Sequence, residues 1–348
     1  HHGLHHEYNI KNYGLYYRFW DDLCGTMNDK SYPHFYSLKK DHRPNYTSQT
    51  PEKRPRPQDT IGLYFEQIEQ FGEDALINWD INGENHLFHH SGDDGTSSFK
   101  ELLKIHNISC KNYPVYTARP KLHLSQKIKS ILRLYSRVPH ICGVLRKSEP
   151  KDSSKKFFSI YFSKEQTNKI LSKAQGHGVN AFFIHELSKV LAPKISQKKQ
   201  MWMAPVNTNI PGESIANEVS NVDIIFDPKL SDKADLKRMI QKEIDGGMIY
   251  SGRFLFKTLN ILGRSLFVIQ VWLSQYLLRR TGCFSNLGRF EISDDLNISF
   301  CPPPQRGSCF ASGLITINNR FCLRVGVHRQ VDFDMNSLRN DIKNNFLS

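Results

Sequence analysis

Residues 85–99 read Asn85-His-Leu-Phe-His-His-Ser-Gly-Asp-Asp-Gly-Thr-Ser-Ser-Phe99. An apolar run ends on two adjacent histidines, His89 and His90, and Asp94 and Gly95 follow to give His-His-x-x-x-Asp-Gly. Just upstream, Asn82-Gly83 is a tight-turn signal, so the spacing predicts a hairpin over 75–90 whose second strand ends at the histidines. Just downstream, Ser98-x-x-Glu101 has the form of a capping box, and Phe99, Leu102, Leu103 and His106 continue at helical spacing. The motif is thereby placed in a loop between a strand and a helix.

Three readings fit such a loop. Imidazole titrates near neutrality and suits proton transfer. His86, His89, His90, Asp93 and Asp94 are also of metal-ligating types, but neighbours such as His89 and His90 on an extended strand point to opposite faces, so no metal is expected. The third reading is two strand-end histidines without a role.

Outward from the motif, residues 8–40 are aromatic-rich, and 41–60 hold Pro44, Pro51, Pro55 and Pro57 in what reads as an extended surface loop. Ile61–Ile68 and Ala75–Ile81 read as strands. A helix is expected from Ser125 to Arg137, with Ile128, Ile131, Leu132 and Tyr135 on one face. Residues 146–156 carry no apolar residue beyond proline, which sets a boundary between a first domain, 1–150, and a second, 151–348. In the second, Phe157–Phe162, Met201–Val206 and Val222–Phe226 read as strands. Ser163-x-x-Gln166 caps a helix ending near Gly176, and another helix starts at Asn180. Ala234–Ile244 and the long segment 252–280 read as helical. Three strand-like runs follow near 296–300, 310–317 and 321–327, then a terminal helix from Ser337 to Phe346. Helices mixed with strands in both halves imply a layered α/β or α+β architecture.

The 348 residues, 39% of them hydrophobic, suffice for two packed domains. The formal charge of +13 suits a polyanion: nucleic acid, an acidic membrane face, a phosphate-bearing cofactor or an acidic carrier protein. Seven scattered cysteines without a Cys-x-x-Cys pair read as reduced thiols in a cytoplasmic protein. The opening His-His-Gly-Leu-His-His reads as a tag remnant or a cut end. Ser265–Leu278, the most apolar segment, is too short to span a bilayer, so no transmembrane segment is expected and peripheral membrane contact stays open. No Gly-x-Ser-x-Gly elbow, P-loop or Gly-x-Gly-x-x-Gly is present, which argues against a serine hydrolase, an NTPase and a dinucleotide enzyme.

The stretch His89-His90-x-x-x-Asp94-Gly95 resembles the signature of the chloramphenicol acetyltransferase-like superfamily of CoA-dependent acyltransferases, which includes condensation domains, wax ester synthases and polyketide-associated acyltransferases. Three further stretches resemble that superfamily in order: Gly178–Leu191, like the helix opening its second lobe; Ala204-Pro-Val-Asn207, with Thr208 where a basic residue is usual; and Thr281-Gly-Cys-Phe-Ser-Asn-Leu-Gly288, like the Ser-Asn-Leu-Gly strand end of the polyketide-associated and alcohol-acetylating branches. The resemblance covers roughly residues 75–345, and the opening lobe before 75 is truncated or divergent by comparison.

The resemblance implies two lobes, each a mixed sheet flanked by helices, with an active-site tunnel between them. It implies His90 as general base beside His89, and no covalent enzyme intermediate. Asp94 becomes a structural carboxylate paired with an arginine, for which Arg289 is the first candidate and Arg306 a poorer one; Gly95 stands where a Cβ would obstruct. Ser285, Asn286 and the backbone near Gly288 are candidate oxyanion donors, and Asn207 a substrate contact. Acyl-CoA or an acyl carrier protein would be the donor, a small alcohol or amine the acceptor. Two alternatives stay open: a condensation-like, catalytically degenerate protein binding a carrier protein or polyketide-like ligand, and a basic nucleic-acid-binding protein. The latter lacks both an aromatic RNP pattern and an ordered basic helix. The run Lys194–Lys199 is a solvated loop or a contact for CoA phosphates or an acidic carrier.

Overall fold

The computed structural model describes residues 64, 67–69, 71–73, 75–89, 95–112, 124–135, 156–195, 197–207, 219–247, 255, 258, 264–276 and 279–348. The aromatic-rich start, the proline loop, the 146–155 boundary, His90 and Asp94 lie outside them.

Asn82 and Gly83 both adopt positive φ (51° and 93°), the geometry of a primed hairpin turn, and they join β1 (Leu76–Ile81) to β2 (Glu84–His89). Alternation decides what each face meets. Ile77, Trp79 and Ile81 enter a buried cluster with Phe99, Leu102 and Leu103 of α1 (Gly95–Ile105), while Asn78 and Asp80 point the other way. The expected capping box at Ser98 is not formed. The helix begins three residues earlier, and the Ser98 hydroxyl instead accepts from Trp79 Nε1 (3.0 Å) and donates to the Gly95 carbonyl (3.1 Å), since burying the indole N–H requires a partner.

The larger sheet assembles from β3 (Cys110–Asn112), β4 (Lys156–Tyr161), β5 (Gln200–Asn207), β6 (Val219–Phe226), β7 (Arg280–Ile292), β9 (Ser308–Ile317) and β10 (Arg320–Val327). Its order is β4-β10-β9-β7-β5-β6, with β3 added to the far end of β7; β5, β7 and β9 run parallel. The smaller sheet, β2-β1-β8, takes its third strand, β8 (Ile298–Cys301), from late in the chain, so strands from both sides of residue 150 share one sheet. The two sheets pack tightly where β8 lies against β9: a Cβ on Gly313 would stand 2.2 Å from the Phe300 carbonyl oxygen.

Besides α2 (Leu124–Tyr135), the helices bounded within the described residues include α3 (Lys164–Ala174), α4 (Val179–Leu191), α5 (Lys233–Asp245), α6 (Arg264–Tyr276) and α7 (Met335–Leu347). The Ser163–Gln166 capping box forms as expected. Helix α4 is buried nearly all round, with Phe183 stacked on Phe284 of β7 and packed on Phe346 of α7. On α2, Ile128 and Leu132 of the expected apolar face are exposed. The architecture is a mixed α/β one in which two sheets are flanked by helices.

Two further expectations are corrected. The described residues of 61–68, Tyr64 and Gln67–Ile68, are helical rather than a strand: Tyr64, Ile68 and Phe71 fall at helical spacing and pack on Phe267 and Val271 of α6. The long helix over 252–280 reaches only Tyr276 in its described part, because Arg280 opens β7 and pairs with Asp223 of β6 through Nε (2.6 Å) and Nη2 (2.9 Å).

Candidate functional site

The elements that flank residues 90–94 are fixed on both sides. His89 ends β2, opposite Leu76 of β1, and Gly95 opens α1. The first turn of α1 is held by the Trp79–Ser98–Gly95 chain of hydrogen bonds, and Trp79 stacks between Phe99 (5.2 Å) and Phe300 (5.1 Å). Gly95 packs directly on the Ser-Asn-Leu-Gly stretch: a Cβ there would lie 2.6 Å from Leu287 Cδ2 and 3.4 Å from its Cδ1 and Cγ. Two motifs nearly two hundred residues apart in sequence are therefore in contact, at a position where only glycine fits without displacement.

Along β7, alternation separates the candidate residues onto two faces. Phe284 and Asn286 face α4, the former stacked on Phe183 and the latter donating from Nδ2 to Asn180 Oδ1 (2.7 Å). Leu287 faces α1, and Ser285, half-buried and opposite Gly313, shares that side of the strand. The Asn286 carboxamide is engaged at both ends, because its Oδ1 accepts from Gly288 N (2.9 Å). That bond closes a bulge at which the β7–β9 register shifts, with Gly288 at φ 90°. Asn207 ends β5, opposite Val219; the parallel β5–β7 register brings it to the same end of the sheet as Leu287. The carboxyl ends of parallel strands, where ligands settle in open α/β sheets, thus gather Asn207, Ser285 and the Gly95–Leu287 contact.

The arginines proposed as partners of Asp94 have other contacts. Arg289 is exposed and donates from Nη2 to Asn319 Oδ1, while Arg306 lies against Glu73, with Nε 3.7 Å from Oε1 and its backbone N–H donating to Oε2 (3.2 Å). His185 is buried, with Nδ1 3.3 Å from Glu186 Oε1 and Nε2 3.0 Å from the Ser231 carbonyl, a structural role. Lys194 pairs with Asp341 (3.7 Å), and exposed Lys198 and Lys199 sit before β5, about 26 Å along the strand from Asn207. Among the cysteines, Cys110, Cys283, Cys301, Cys309 and Cys322 are free thiols, and burial pushes Cys283 and Cys322 up to about 12.

One buried polar bridge was not anticipated. Arg324 of β10, 4% exposed, donates to Asn78 Oδ1 (2.7 Å), Ser159 Oγ (2.6 Å) and Asn85 Oδ1 (2.5 Å), and its Nη1 lies 3.1 Å from Asp80 Oδ2. Tyr161 donates to the other Asp80 oxygen (2.5 Å), and burial, with that bond, raises the phenol to about 12. The network joins the polar face of the β1–β2 hairpin to β4 and β10. Its signal in the sequence was a lone arginine inside the apolar run Phe321-Cys-Leu-Arg-Val-Gly-Val327.

The sequence matches no protein-family model and no curated protein. Similar solved structures include the epimerization domain from the third module of tyrocidine synthetase B, 15% identical over 83% of this chain and 75% of that one, with a TM-score of 0.45. The NRPS cyclization-docking bidomain from Sorangium cellulosum is 11% identical over 92% of this chain and 67% of the other, TM-score 0.49. The wax ester synthase/diacylglycerol acyltransferase from Marinobacter aquaeolei VT8 is 12% identical over 77% and 69%, TM-score 0.44. Each is a likeness of shape at low identity. No helix among the described residues is long and apolar enough to cross a membrane.

Proposed function

We propose that the chain transfers an acyl group from a thioester, carried on CoA or on an acyl carrier protein, to the hydroxyl or amine of a small acceptor within a ternary complex. The observation that carries this reading is the seating of Gly95 on Leu287, which brings the two most distinctive motif stretches to one place. His90 takes the acceptor proton as the acceptor oxygen or nitrogen attacks the thioester carbonyl. The tetrahedral intermediate then collapses, breaking the carbon–sulfur bond, and the imidazolium returns its proton to the departing thiolate. Ser285, on the motif side of β7, is the oxyanion donor; Asn286 positions the bulge through Asn180 and Gly288. The charge of +13 favours CoA phosphates or an acidic carrier as the donor's handle.

The test is thiol release from a panel of acyl-CoAs and acyl-loaded carrier proteins, each with alcohol and amine acceptors. His90→Ala is expected to slow release about 10²–10⁴-fold with unchanged circular dichroism. Release that survives this substitution at the parent rate removes His90 as base, and a chain inert toward every thioester overturns acyl transfer.

A further inference from the structure

His86 faces Trp79 across the β1–β2 ladder, and so lies on the side of the hairpin that α1 covers. Glu84, two residues earlier, shares that face. The end of α1 delivers His106 to the same place, with the backbone turning at Asn107 (φ 55°). His86 Nε2 and His106 Nε2 are 3.1 Å apart with their rings at 87°, and His86 Nε2 is 3.5 Å from Glu84 Oε1. All three donor atoms lie within 4.8 Å of one another.

From this geometry we infer that Glu84, His86 and His106 form a binding site for a divalent transition-metal ion of the zinc type. Ligands held 2.0–2.2 Å from a tetrahedral ion are separated by roughly 3.3–3.5 Å, which the two short separations bracket. The third closes by rotation of the Glu84 side chain, which is 68% exposed. Two imidazoles and one carboxylate favour zinc, cobalt or nickel over magnesium or calcium, whose preference is for oxygen. Water completes the coordination from the open side. The ion ties β2 to the end of α1, the two elements that flank the His89–Gly95 motif, and acts as a staple on the motif's supports. Of these three residues, His86 is one of the metal-ligating types gathered near the motif in sequence; His106 joins it from twenty residues away.

This site stands independently of acyl transfer, and its readout is binding. The full chain with His1, His2, His5 and His6 changed to Gln, which removes the other histidine-rich segment, is titrated with Zn²⁺ by calorimetry and with Co²⁺ by visible spectroscopy. One ion per chain is expected, with the intense d–d absorption of four-coordinate cobalt and a Zn²⁺-induced rise in Tm of roughly 5 °C. His86→Ala and His106→Ala each weaken binding at least tenfold and abolish the Tm rise, whereas Glu84→Gln weakens it less. His106→Gln retains a hydrogen-bonding group yet loses the ion. The inference is overturned by the absence of stoichiometric binding, or by binding that both histidine variants leave intact while their circular dichroism is unchanged.

Discussion

Replacing Gly95 by Ala tests the contact on which the functional reading rests. The new methyl would stand 2.6 Å from Leu287 Cδ2, about 1 Å inside an ordinary carbon–carbon contact. Leu287 is 7% exposed and packed among Phe99, Phe290 and Ile315, so it yields only by leaving its rotamer or pressing on its neighbours. Overpacking of this kind costs about 1–3 kcal/mol, and because Gly95 opens α1 the gain of about 0.5–1 kcal/mol for Ala over Gly inside a helix offsets little of it. A net loss of about 1–2 kcal/mol is expected. Leu287→Ala alone opens a cavity at a cost of about 2–5 kcal/mol. In that background the methyl added at position 95 no longer meets Leu287 Cδ2 and refills part of the space, regaining about 0.8 kcal/mol for the buried carbon. Gly95→Ala therefore changes sign: it destabilises the parent and stabilises the Leu287→Ala variant. Urea unfolding of the four proteins, followed by tryptophan fluorescence, reads this as opposite shifts in midpoint. Equal shifts in both backgrounds would refute the proposed packing of the two motifs.

Arg324→Met leaves Asp80 buried without its cation and is expected to cost about 3–5 kcal/mol in the same assay, with Asp80→Asn recovering part of the loss. Glu186 is a pH probe: burial alone would raise its carboxyl, but His185, Lys233 and Asn345 outweigh burial and hold it at about 2. Its folded value lies below the unfolded 4.5, so its stabilisation is complete above pH 4.5 and is lost as pH falls through about 2. Glu186→Gln should flatten Tm against pH across that window. Cys283 and Cys322, with thiols at about 12, should resist alkylation until the chain unfolds, as read by mass spectrometry of the modified peptides.

Much of the scaffold was legible because it rests on local chemistry. Asn82-Gly83 specified the hairpin, Ser163-x-x-Gln166 specified the start of α3, and short, largely apolar runs pointed to β9 and β10. The failures share a cause, which is that a distant partner decided the outcome. Ser98 looked like a cap until Trp79, nineteen residues away, took its hydroxyl. The aromatics of 61–68 looked like a strand, yet Tyr64 and Ile68 find their packing on α6, two hundred residues later. The site divides in the same way. The spacing of His-His-x-x-x-Asp-Gly and Ser-Asn-Leu-Gly was visible, but not that Asn286 turns toward α4 and Leu287 toward Gly95. That division follows from the phase of β7 alternation, which only the packed sheet reveals.

Apolar packing alone explains poorly why the hairpin keeps one register against the larger sheet. Burial of Trp79, Phe99 and Phe300 is non-directional, and the geometric preference of each stacked pair adds only about 0.5–1.5 kcal/mol. The Arg324 bridge is directional: its guanidinium has a fixed fork, and its donors meet acceptors on three strands, Asn78 and Asp80 of β1, Asn85 of β2 and Ser159 of β4. A slip of one residue in β1 would turn Asn78 and Asp80 into the apolar cluster and Ile77 and Trp79 onto the arginine, leaving a buried charge unpaired. The bridge thus acts against the wrong register more than it adds to the right one. The same register that aims Asp80 at Arg324 aims Trp79 at Ser98, and through Ser98 sets the first turn of α1 at Gly95. The buried arginine, remote in sequence from the motif, thereby fixes the elements on which the motif is mounted.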